Sequence, residues 1–497
     1  MPHKATVSLD TNRVIGQISP LLFSGFAEHM GRCIYEGIYD PGSKHADARG
    51  FRTDVLEVLK ALNFRSIRYP GGNFVSGYKW LDGIGLKENR PTRRELAWRS
   101  IETNQFGTDD FMAFCRDVGS APMMAVNLGT GSIQEAADLV EYCNSSSGTY
   151  YADLRAKNGS SDPYNVRYWC LGNEMDGPWQ IGHLSASEYG VKAKEAAKLM
   201  RTVDQNLELI LCGSSSTFMP TYPEWDRVTL ETCWEDVDYL SLHYYADNKT
   251  DDTASFLAMS KQFESQLDTL AATCRYVKAQ KRSKHDVYLS WDEWNVWYRA
   301  TDGDGKWASA PHILEEVYNL EDALVVAQWL SVFLRKADVL KIACIAQIVN
   351  VIAPIMTNKD GMFKQSIFYP LELFSRHASG VSFDALVHTP SHDTKRFGEM
   401  PLLDVSASFD EEHASGAAFL VNRSLTETLE VEISWQGTPA SSVTGAWQVT
   451  GTDPKAANSF EKPDTVVAHA LSGISLKDAR VNISLPPMSF TTITVAH

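Results

Sequence analysis

The chain of 497 residues is longer than one ordinary domain and long enough for a large barrel joined to a smaller domain. Its net charge is −16, and an acidic surface repels phosphates, so neither nucleic acid nor an anionic membrane is expected as a partner. The sequence contains no run of about 18 apolar residues, which excludes a membrane-spanning helix.

The eight cysteines are scattered without a Cys-x-x-Cys pair, and the N-terminal segment MPHKATVSLDTN has no apolar signal-peptide core. Scattered thiols favour a reducing compartment over a disulfide framework or a zinc site. We therefore expect a cytoplasmic protein without a bound metal.

Residues 19–380 alternate short apolar segments with amphipathic ones, a pattern typical of parallel β/α architecture. Eight strands are predicted, which is the number that closes a (β/α)8 TIM barrel. They are Leu22–Ala27, Ser66–Tyr69, Met123–Asn127, Arg167–Leu171, Leu209–Cys212, Val237–Leu242, Val287–Ser290 and Ile342–Ala346. Helices are predicted at Thr53–Asn63 and Leu320–Asp338, and capping boxes begin at Ser132 and Ser185.

Residues 381–497 have a different pattern, with alternating β-rich segments separated by Gly, Pro, Ser and Asp. This pattern predicts an antiparallel β-sandwich of the jelly-roll kind. Thr6–Leu9 alternates in the same way, so we expect residues 1–18 to add a strand to that sandwich. The predicted fold class is α/β, with a catalytic barrel at 19–380 and a sandwich made from both chain ends.

Polar or aromatic residues follow nearly every predicted barrel strand, and in such barrels the carboxyl ends of the strands carry the reactive groups. The endings are Glu28-His29, Arg68–Asn73, Asn127–Gly129, Gly172–Glu174, Ser214-Ser215, His243–Tyr245, Asp292-Glu293 and Gln347. Glu174 ends the fourth strand and Glu293 the seventh, so the two carboxylates face each other across the barrel mouth. Retaining glycoside hydrolysis needs such a pair, one protonated and one ionised.

Asp292 competes with Glu293 as the nucleophile. Adjacent residues of a regular strand face opposite sides, so we expect only one of the two to point into the site.

Other residues at the strand ends have supporting roles in this interpretation. Arg68 is expected to pair with Glu293, and Tyr245 to hold its carboxylate by a hydrogen bond. His243 is expected to orient a neighbour rather than to bind a metal. Glu28, Asn73, Asn173 and Gln347 offer donors and acceptors for sugar hydroxyls, and the candidate platforms for sugar rings are Trp98, Trp179, Trp294 and Trp297.

At these residues the sequence resembles glycoside hydrolase family 51, the α-L-arabinofuranosidases. The matching segments follow the family's order: Gly25–Tyr35, Arg68–Ser76, Met124–Gly131, Trp169–Trp179, Ser241–His243, Ser290–Tyr298 and Ala346–Pro354. The sequence departs from some relatives at Tyr244, where they carry Gln, and in a short Thr301–Pro311 loop. These departures leave the preference for the leaving sugar open.

The resemblance implies a barrel with a C-terminal β-sandwich, retention of configuration and no cofactor. It implies Glu174 as general acid/base and Glu293 as nucleophile. Residues that would hold the arabinofuranose are Glu28, Asn73, Asn173, Tyr245 and Gln347, with Trp98 and Trp297 as pocket walls. The implied substrates are arabinan, arabinoxylan or their oligosaccharides, and the implied assembly is a homo-oligomer, a hexamer in many family members.

Two alternatives stay open at this point. The first is an endo-acting xylanase or glucanase on the same barrel, because a fold does not fix a function. The second is a non-catalytic carbohydrate-binding protein that binds through its β-sandwich. A closed pocket would favour the exo-acting hydrolase and an open cleft the endo-acting one, while the pair of strand-end glutamates argues against the non-catalytic protein.

Overall fold

The computed structural model describes residues 3–299 and 307–497, so most of the Thr301–Pro311 loop lies outside the described residues. Eight parallel strands form a closed barrel in chain order, and the last strand pairs with the first. They are β2 (Ser24–Phe26), β3 (Ser66–Tyr69), β6 (Ala121–Ala125), β7 (Tyr168–Leu171), β8 (Glu208–Leu211), β9 (Tyr239–Ala246), β10 (Tyr288–Val296) and β11 (Leu340–Ala346). The predicted (β/α)8 barrel is confirmed.

Two barrel strands are longer than predicted. β9 continues to Ala246 and β10 to Val296, beyond the expected ends at Leu242 and Ser290. The polar side chains at these positions conceal the strand pattern in the sequence. The barrel-mouth residues on these two strands, such as His243 and Glu293, are therefore held by strand hydrogen bonds rather than by loops, which makes their positions better defined.

Ten α-helices cover the barrel in the described part of the chain: α1 (Thr53–Leu62), α2 (Thr108–Val118), α3 (Ile133–Asn144), α4 (Tyr150–Lys157), α5 (Ala186–Val203), α6 (Glu224–Cys233), α7 (Thr253–Phe256), α8 (Ser260–Lys281), α9 (Leu320–Arg335) and α10 (Phe368–His377). Short 3-10 helices lie at Pro20–Leu22, Asn73–Gly77, Trp80–Gly83, Lys87–Asn89 and Trp234–Asp236. Ser132 and Ser185 form the expected capping boxes of α3 and α5.

Helix α9 joins the two parts of the molecule. Every residue from Leu320 to Leu334 is buried, because one face packs on the barrel and the other on the β-sheet domain. Polar contacts cross this boundary, such as the hydrogen bond between Ser331 and Ser406 and the ion pair between Arg335 and Asp404. The active-site barrel thus rests on a rigid second layer.

A ten-stranded, mostly antiparallel sheet forms the second domain. Its strands are β1 (His3–Gln17), β14 (Val381–His388), β17 (Leu403–Asp410), β18 (Ser415–Asn422), β19 (Leu429–Gln436), β20 (Ser442–Thr450), β21 (His469–Ala470), β22 (Leu476–Lys477), β23 (Arg480–Leu485) and β24 (Ser489–Ala496). As predicted, the N-terminal strand joins it, antiparallel to β14 and parallel to β19. Side chains from both halves of the sheet enclose a single apolar core, as in a sandwich, although the hydrogen bonding is continuous.

Three two-stranded hairpins complete the strands: β4 (Arg93–Glu95) with β5 (Ser100–Glu102), β12 (Ile355–Thr357) with β13 (Met362–Lys364), and β15 (Ser391–Thr394) with β16 (Gly398–Pro401). The division of the chain at 18/19 and 380/381 stays a prediction. In the described ranges, no helix is both long enough and apolar enough to cross a membrane.

Candidate active site

Glu174 and Glu293 meet at the barrel mouth. Glu174 follows β7 after Gly172 and has left-handed backbone geometry (φ 43°), whereas Glu293 lies within β10. Both residues are largely buried, with exposed fractions of 9% and 8%. One carboxylate oxygen of each lies within 4.8 Å of the other. The structure therefore brings the two predicted carboxylates together across a gap that a single glycosidic bond spans.

His243 on β9 lies between the two carboxylates. Its Nδ1 is 3.0 Å from Oε1 of Glu174 and 3.7 Å from Oε2 of Glu293, while its Nε2 is 3.3 Å from Oδ1 of Asp292. Burial lowers its pKa, but the charge of Glu293 and hydrogen bonds to Asp292 and Glu174 raise the pKa of His243 to about 10. A doubly protonated ring donates from both nitrogens and fixes the carboxylates on either side.

Glu293 is bound by two buried donors. Nη1 of Arg68 donates to its Oε2 at 3.0 Å, and the hydroxyl of Tyr245 donates to its Oε1 at 2.7 Å. The other terminal nitrogen of Arg68 donates to Oδ1 of Asn173 at 2.6 Å. Charge-assisted hydrogen bonds of this kind stabilise the ionised form of a carboxyl group.

Of Asp292 and Glu293 only Glu293 lines the cavity, as expected, but the expected reason, that the two residues face opposite sides of a regular strand, is wrong. The pairing of β10 with both neighbouring strands shifts register between residues 290 and 294, so regular alternation is lost. Asp292 also faces inward, with Oδ2 3.6 Å from Nε of Arg68 and a hydrogen bond from Ser241. Burial raises its pKa, but Arg68 and His243 hold the pKa of Asp292 below its ordinary value. Depth separates the two carboxylates, since Glu293 lines the cavity and Asp292 lies beneath it.

A cavity of about 540 Å³ opens above the two glutamates. Nine of the predicted site residues line it: Glu28, Asn73, Trp98, Glu174, Trp179, Tyr245, Glu293, Trp297 and Gln347. Asn173 does not line it, because its side chain is bound to Arg68 and to Gln180. Trp294 is not a sugar platform, because it is buried against Trp329 and Phe333 on the outer side of β10.

Glu28 is the centre of a hydrogen-bonded group at the base of the cavity. Its Oε1 accepts from the backbone of Phe74 and from the indole of Trp98, both at 3.0 Å, and its Oε2 accepts from Gln347 at 3.1 Å. Burial and the negative charge of Glu293 raise the pKa of Glu28 to about 7 despite these donors. A carboxylate held in this way is a strong acceptor for sugar hydroxyls.

Trp179 connects the acid/base candidate to the rim of the cavity. Its indole nitrogen donates to Oε2 of Glu174 at 2.6 Å, and 51% of the residue is exposed. The ring therefore lies between the buried carboxyl of Glu174 and the solvent at the rim of the cavity.

Sequence reasoning missed most of the rim. The additional lining residues are Met30, Ser216, Phe218, Asp247, Lys249, Arg299, Leu314 and Ile352, and most of them lie outside regular secondary structure. Ser215 was recognised as a strand ending, and it is held by Asp176, whose carboxylate accepts from its backbone and hydroxyl at 3.0 and 3.1 Å. The path of a loop leaves no periodic signal, so the sequence offered no means to find the others.

Two family models match the chain. Residues 58–268 match the alpha-L-arabinofuranosidase 1 domain, and residues 292–489 match the alpha-L-arabinofuranosidase C-terminal domain. The first covers much of the barrel, and the second begins at the strand of Glu293 and extends through the β-sheet domain.

Curated relatives match over nearly their whole length. The intracellular exo-alpha-(1->5)-L-arabinofuranosidase 1 of Bacillus subtilis is 44% identical over 494 residues, covering 99% of this chain and 98% of the relative. The exo-alpha-(1->6)-L-arabinofuranosidase of Bifidobacterium longum is 41% identical over 510 residues, covering 99% and 97%. The two relatives are thus named for different linkages.

Solved structures agree with these matches. AbfB, a family 51 α-L-arabinofuranosidase of Bifidobacterium longum, has a TM-score of 0.96 at 36% identity, covering all of both chains. An α-L-arabinofuranosidase of Thermotoga maritima in complex with arabinose has a TM-score of 0.87 at 34% identity, covering 99% of this chain and all of the other. With these similarities over its full length, the chain belongs to glycoside hydrolase family 51, the α-L-arabinofuranosidases.

Proposed function

We propose that the chain is a retaining, exo-acting α-L-arabinofuranosidase that releases terminal non-reducing arabinofuranosyl residues by double displacement. The separation of the two carboxylates carries the mechanism, since one oxygen of Glu174 lies within 4.8 Å of one of Glu293. Retaining enzymes have carboxyl groups about 5–5.5 Å apart, whereas inverting enzymes need about 6.5–9.5 Å to admit a water molecule. The spacing here supports direct attack by a carboxylate.

Glu293 is the nucleophile and Glu174 the general acid/base in this proposal. Arg68 and Tyr245 donate to both oxygens of Glu293, which favours the charged form that attacks the anomeric carbon. Glu174 contacts the half-exposed Trp179, which lies on the side where the leaving group departs. Glu174 first protonates the leaving oxygen and then removes a proton from the water that hydrolyses the covalent intermediate.

The sugar is held by residues from several strand ends. Glu28, Asn73 and Gln347 supply polar groups from one side of the cavity, and Trp98 and Trp297 supply apolar walls. Tyr245 contacts both Glu293 and the cavity. Asn173 and His243 position other groups from beneath, since Asn173 binds Arg68 and His243 binds Glu174.

The proposed substrates are arabinan, arabinoxylan or their oligosaccharides, and the names of the relatives support the arabinofuranosyl group that these share. Because these relatives are named for (1->5) and (1->6) linkages, the linkage is a separate question. Hydrolysis of linkage-defined arabino-oligosaccharides, followed by product analysis, decides it. We further propose that the chain acts inside the cell, as the Bacillus subtilis relative is named to do, and that it assembles as a homo-oligomer, a hexamer by family resemblance. Light scattering of the purified protein tests the assembly.

Azide rescue tests the two catalytic roles. With an aryl α-L-arabinofuranoside that has a good leaving group, Glu174→Ala forms the arabinosyl-enzyme and then stalls, because no base activates water. Azide needs no base, so it accelerates turnover and gives an α-L-arabinofuranosyl azide. Glu293→Ala forms no intermediate, so azide yields the opposite anomer or nothing.

The residue that carries the covalent label and the anomer of the azide product show which glutamate is the nucleophile. Mass spectrometry of the stalled Glu174→Ala enzyme is expected to find the sugar on Glu293. A label on Asp292, or an exchange of the two anomers between the variants, contradicts the assignment. An endo-acting glycanase instead releases internal fragments from xylan or glucan and leaves the aryl arabinofuranoside intact.

A further inference from the structure

The two glutamates and His243 form a set of metal-ligand atoms as well as a catalytic site. Across the described residues, they are the one group of three or more His, Cys, Asp or Glu side chains whose ligand atoms lie together, all within 4.8 Å of one another. We propose that this group binds one divalent transition-metal ion, with Zn²⁺ as the ion that fits, and that the bound ion excludes the sugar.

The distances between the ligand atoms fit a tetrahedral ion. Zn²⁺ bonds of about 2.0–2.2 Å to nitrogen and oxygen place neighbouring ligands roughly 3.3–3.6 Å apart in a tetrahedron. Nδ1 of His243 is 3.0 Å from Oε1 of Glu174 and 3.7 Å from Oε2 of Glu293, on either side of that range. The oxygens of Glu174 and Glu293, which lie within 4.8 Å of each other, must also move to the tetrahedral separation for all three atoms to reach bonding distance. The fourth position faces the cavity, where a water molecule would bind.

The groups behind the ligands are those that metal sites use to orient them. The other ring nitrogen of His243 faces Oδ1 of Asp292 at 3.3 Å, which reproduces the carboxylate–histidine–metal arrangement. The second oxygen of Glu293 accepts from Tyr245, and that of Glu174 accepts from Trp179. The ligand atoms are thus Nδ1 of His243, Oε1 of Glu174 and Oε2 of Glu293, and the last of these also accepts from Nη1 of Arg68 at 3.0 Å, so the ion would share that oxygen with the guanidinium.

The local charge favours a cation. Glu174, Glu293 and Asp292 bring three carboxyl groups to the site, while Arg68 is the cation that touches Glu293 and Asp292. The ion binds Nδ1 of His243 in place of the proton on that nitrogen, and the proton passes to solvent. Because the ion occupies both glutamates, it blocks attack and proton transfer together.

A site of one imidazole and two carboxylates favours metal ions of intermediate softness, such as Zn²⁺, over hard ions, such as Mg²⁺. Mg²⁺ requires near-octahedral oxygen ligands and keeps several waters, so it fits poorly beside an imidazole in a narrow gap. All eight cysteines are buried, so metal capture by surface thiols does not compete. The exposed pairs His312–Glu315 and His413–Asp410 offer two ligands each and provide a control for adventitious binding.

Equilibrium dialysis of the whole protein against ZnCl₂, with the metal counted by mass spectrometry, tests the proposal. We expect one Zn²⁺ per chain, displaced by L-arabinose, and no displacement by MgCl₂. His243→Gln and Glu293→Gln each lose this ion, Asp292→Asn weakens its binding about 10–100-fold, and His413→Gln retains it. Co²⁺ in place of Zn²⁺ gives the intense visible absorption of a tetrahedral site.

Several results overturn the proposal. They are the absence of a stoichiometric ion on the wild type, unchanged binding in either His243→Gln or Glu293→Gln, or Zn²⁺ inhibition that rising substrate does not relieve. If His243→Gln fails to fold, the nearly isosteric Glu293→Gln decides the question, with thermal unfolding as the check on both. Because binding is counted directly, the result is independent of the catalytic roles: Glu293→Gln that is inactive yet binds Zn²⁺ refutes this inference alone.

Discussion

The two catalytic candidates are the same side chain at the same barrel mouth, yet their surroundings differ. Both oxygens of Glu293 accept hydrogen bonds from Arg68 and Tyr245, which are held on barrel strands. One oxygen of Glu174 is hydrogen-bonded to His243, which is held on a barrel strand. Its other oxygen accepts a hydrogen bond from Trp179, and half of that residue is exposed. One carboxylate is fixed by the barrel and the other is connected to the rim. Different surroundings are how two identical groups acquire opposite protonation roles.

The largest difference between the two glutamates and their neighbours is expected when the charge of the nucleophile is removed. Glu293→Gln is expected to reduce kcat/KM by at least about 10⁴-fold, because no covalent intermediate forms. Asp292→Asn is the matched control, as it neutralises the adjacent carboxylate and leaves the nucleophile in place. We expect it to lose much less activity than Glu293→Gln. The measurement is kcat/KM on an aryl arabinofuranoside. Equal losses in the two folded variants would contradict the distinction between Glu293, which lines the cavity, and Asp292, which lies beneath it.

Removing Arg68 tests whether the nucleophile side depends on one shared cation. Arg68→Met leaves the buried carboxylates Asp292 and Glu293 with His243 as their remaining positive partner, and breaking a buried pair costs about 3–5 kcal/mol. We expect a lower Tm and a loss of kcat/KM of at least about 10²-fold, measured on the same substrate. Arg68→Lys keeps the charge but cannot bridge Glu293 and Asn173 together, so its activity lies between. A Met variant as active as the wild type refutes the role of Arg68.

The sequence was sufficient to predict the barrel and the carboxylate pair, because every parallel strand in a barrel ends at the same mouth. It was not sufficient to predict how β10 presents its side chains. The irregularity that turns both Asp292 and Glu293 inward depends on the pairing with β9 and β11, which alternation within one strand does not record. The rim was missed for a related reason, since residues such as Phe218 and Lys249 are brought to the cavity by loops.

The acid/base side can be probed through Trp179. Trp179→Phe keeps an aromatic ring at the rim but removes the hydrogen bond to Glu174, which is worth about 1.5 kcal/mol or a factor of about 10. The loss should appear with substrates whose leaving groups need protonation and vanish with those that do not. Trp98→Phe is the matched control, because it removes an indole bond to Glu28 and should affect both substrates equally. An equal effect of Trp179→Phe on both kinds of substrate contradicts its link to the acid.

The last expected effect concerns the support of the loop beside Glu174 and is seen in stability rather than in activity. Asp226 is fully buried and accepts from the backbone and hydroxyl of Ser214, next to the Ser215 that Asp176 holds. Burial raises the pKa of Asp226 to about 7 and that of Asp176 to about 6, in spite of these hydrogen bonds. On the side of Glu174, the supporting groups are thus carboxyl groups whose pKa values are raised by burial. On the side of Glu293, the supporting group is the cation Arg68.

The consequence for stability has a definite sign. Because the pKa of Asp226 is higher in the folded protein than the 3.8 of an exposed Asp, its stabilising contribution is full below about pH 4 and is lost as the pH rises to about 7. Urea unfolding at pH 5 and pH 8 should show part of this loss in the wild type, at most about 3 kcal/mol, and Asp226→Asn should reduce it. The exposed Asp464→Asn is the control and should leave the difference unchanged. If the free energy of unfolding of Asp226→Asn has the same pH dependence as that of the wild type, Asp226 is ionised in the folded protein. The contrast between the surroundings of Glu174 and Glu293 then does not extend to the residues behind them.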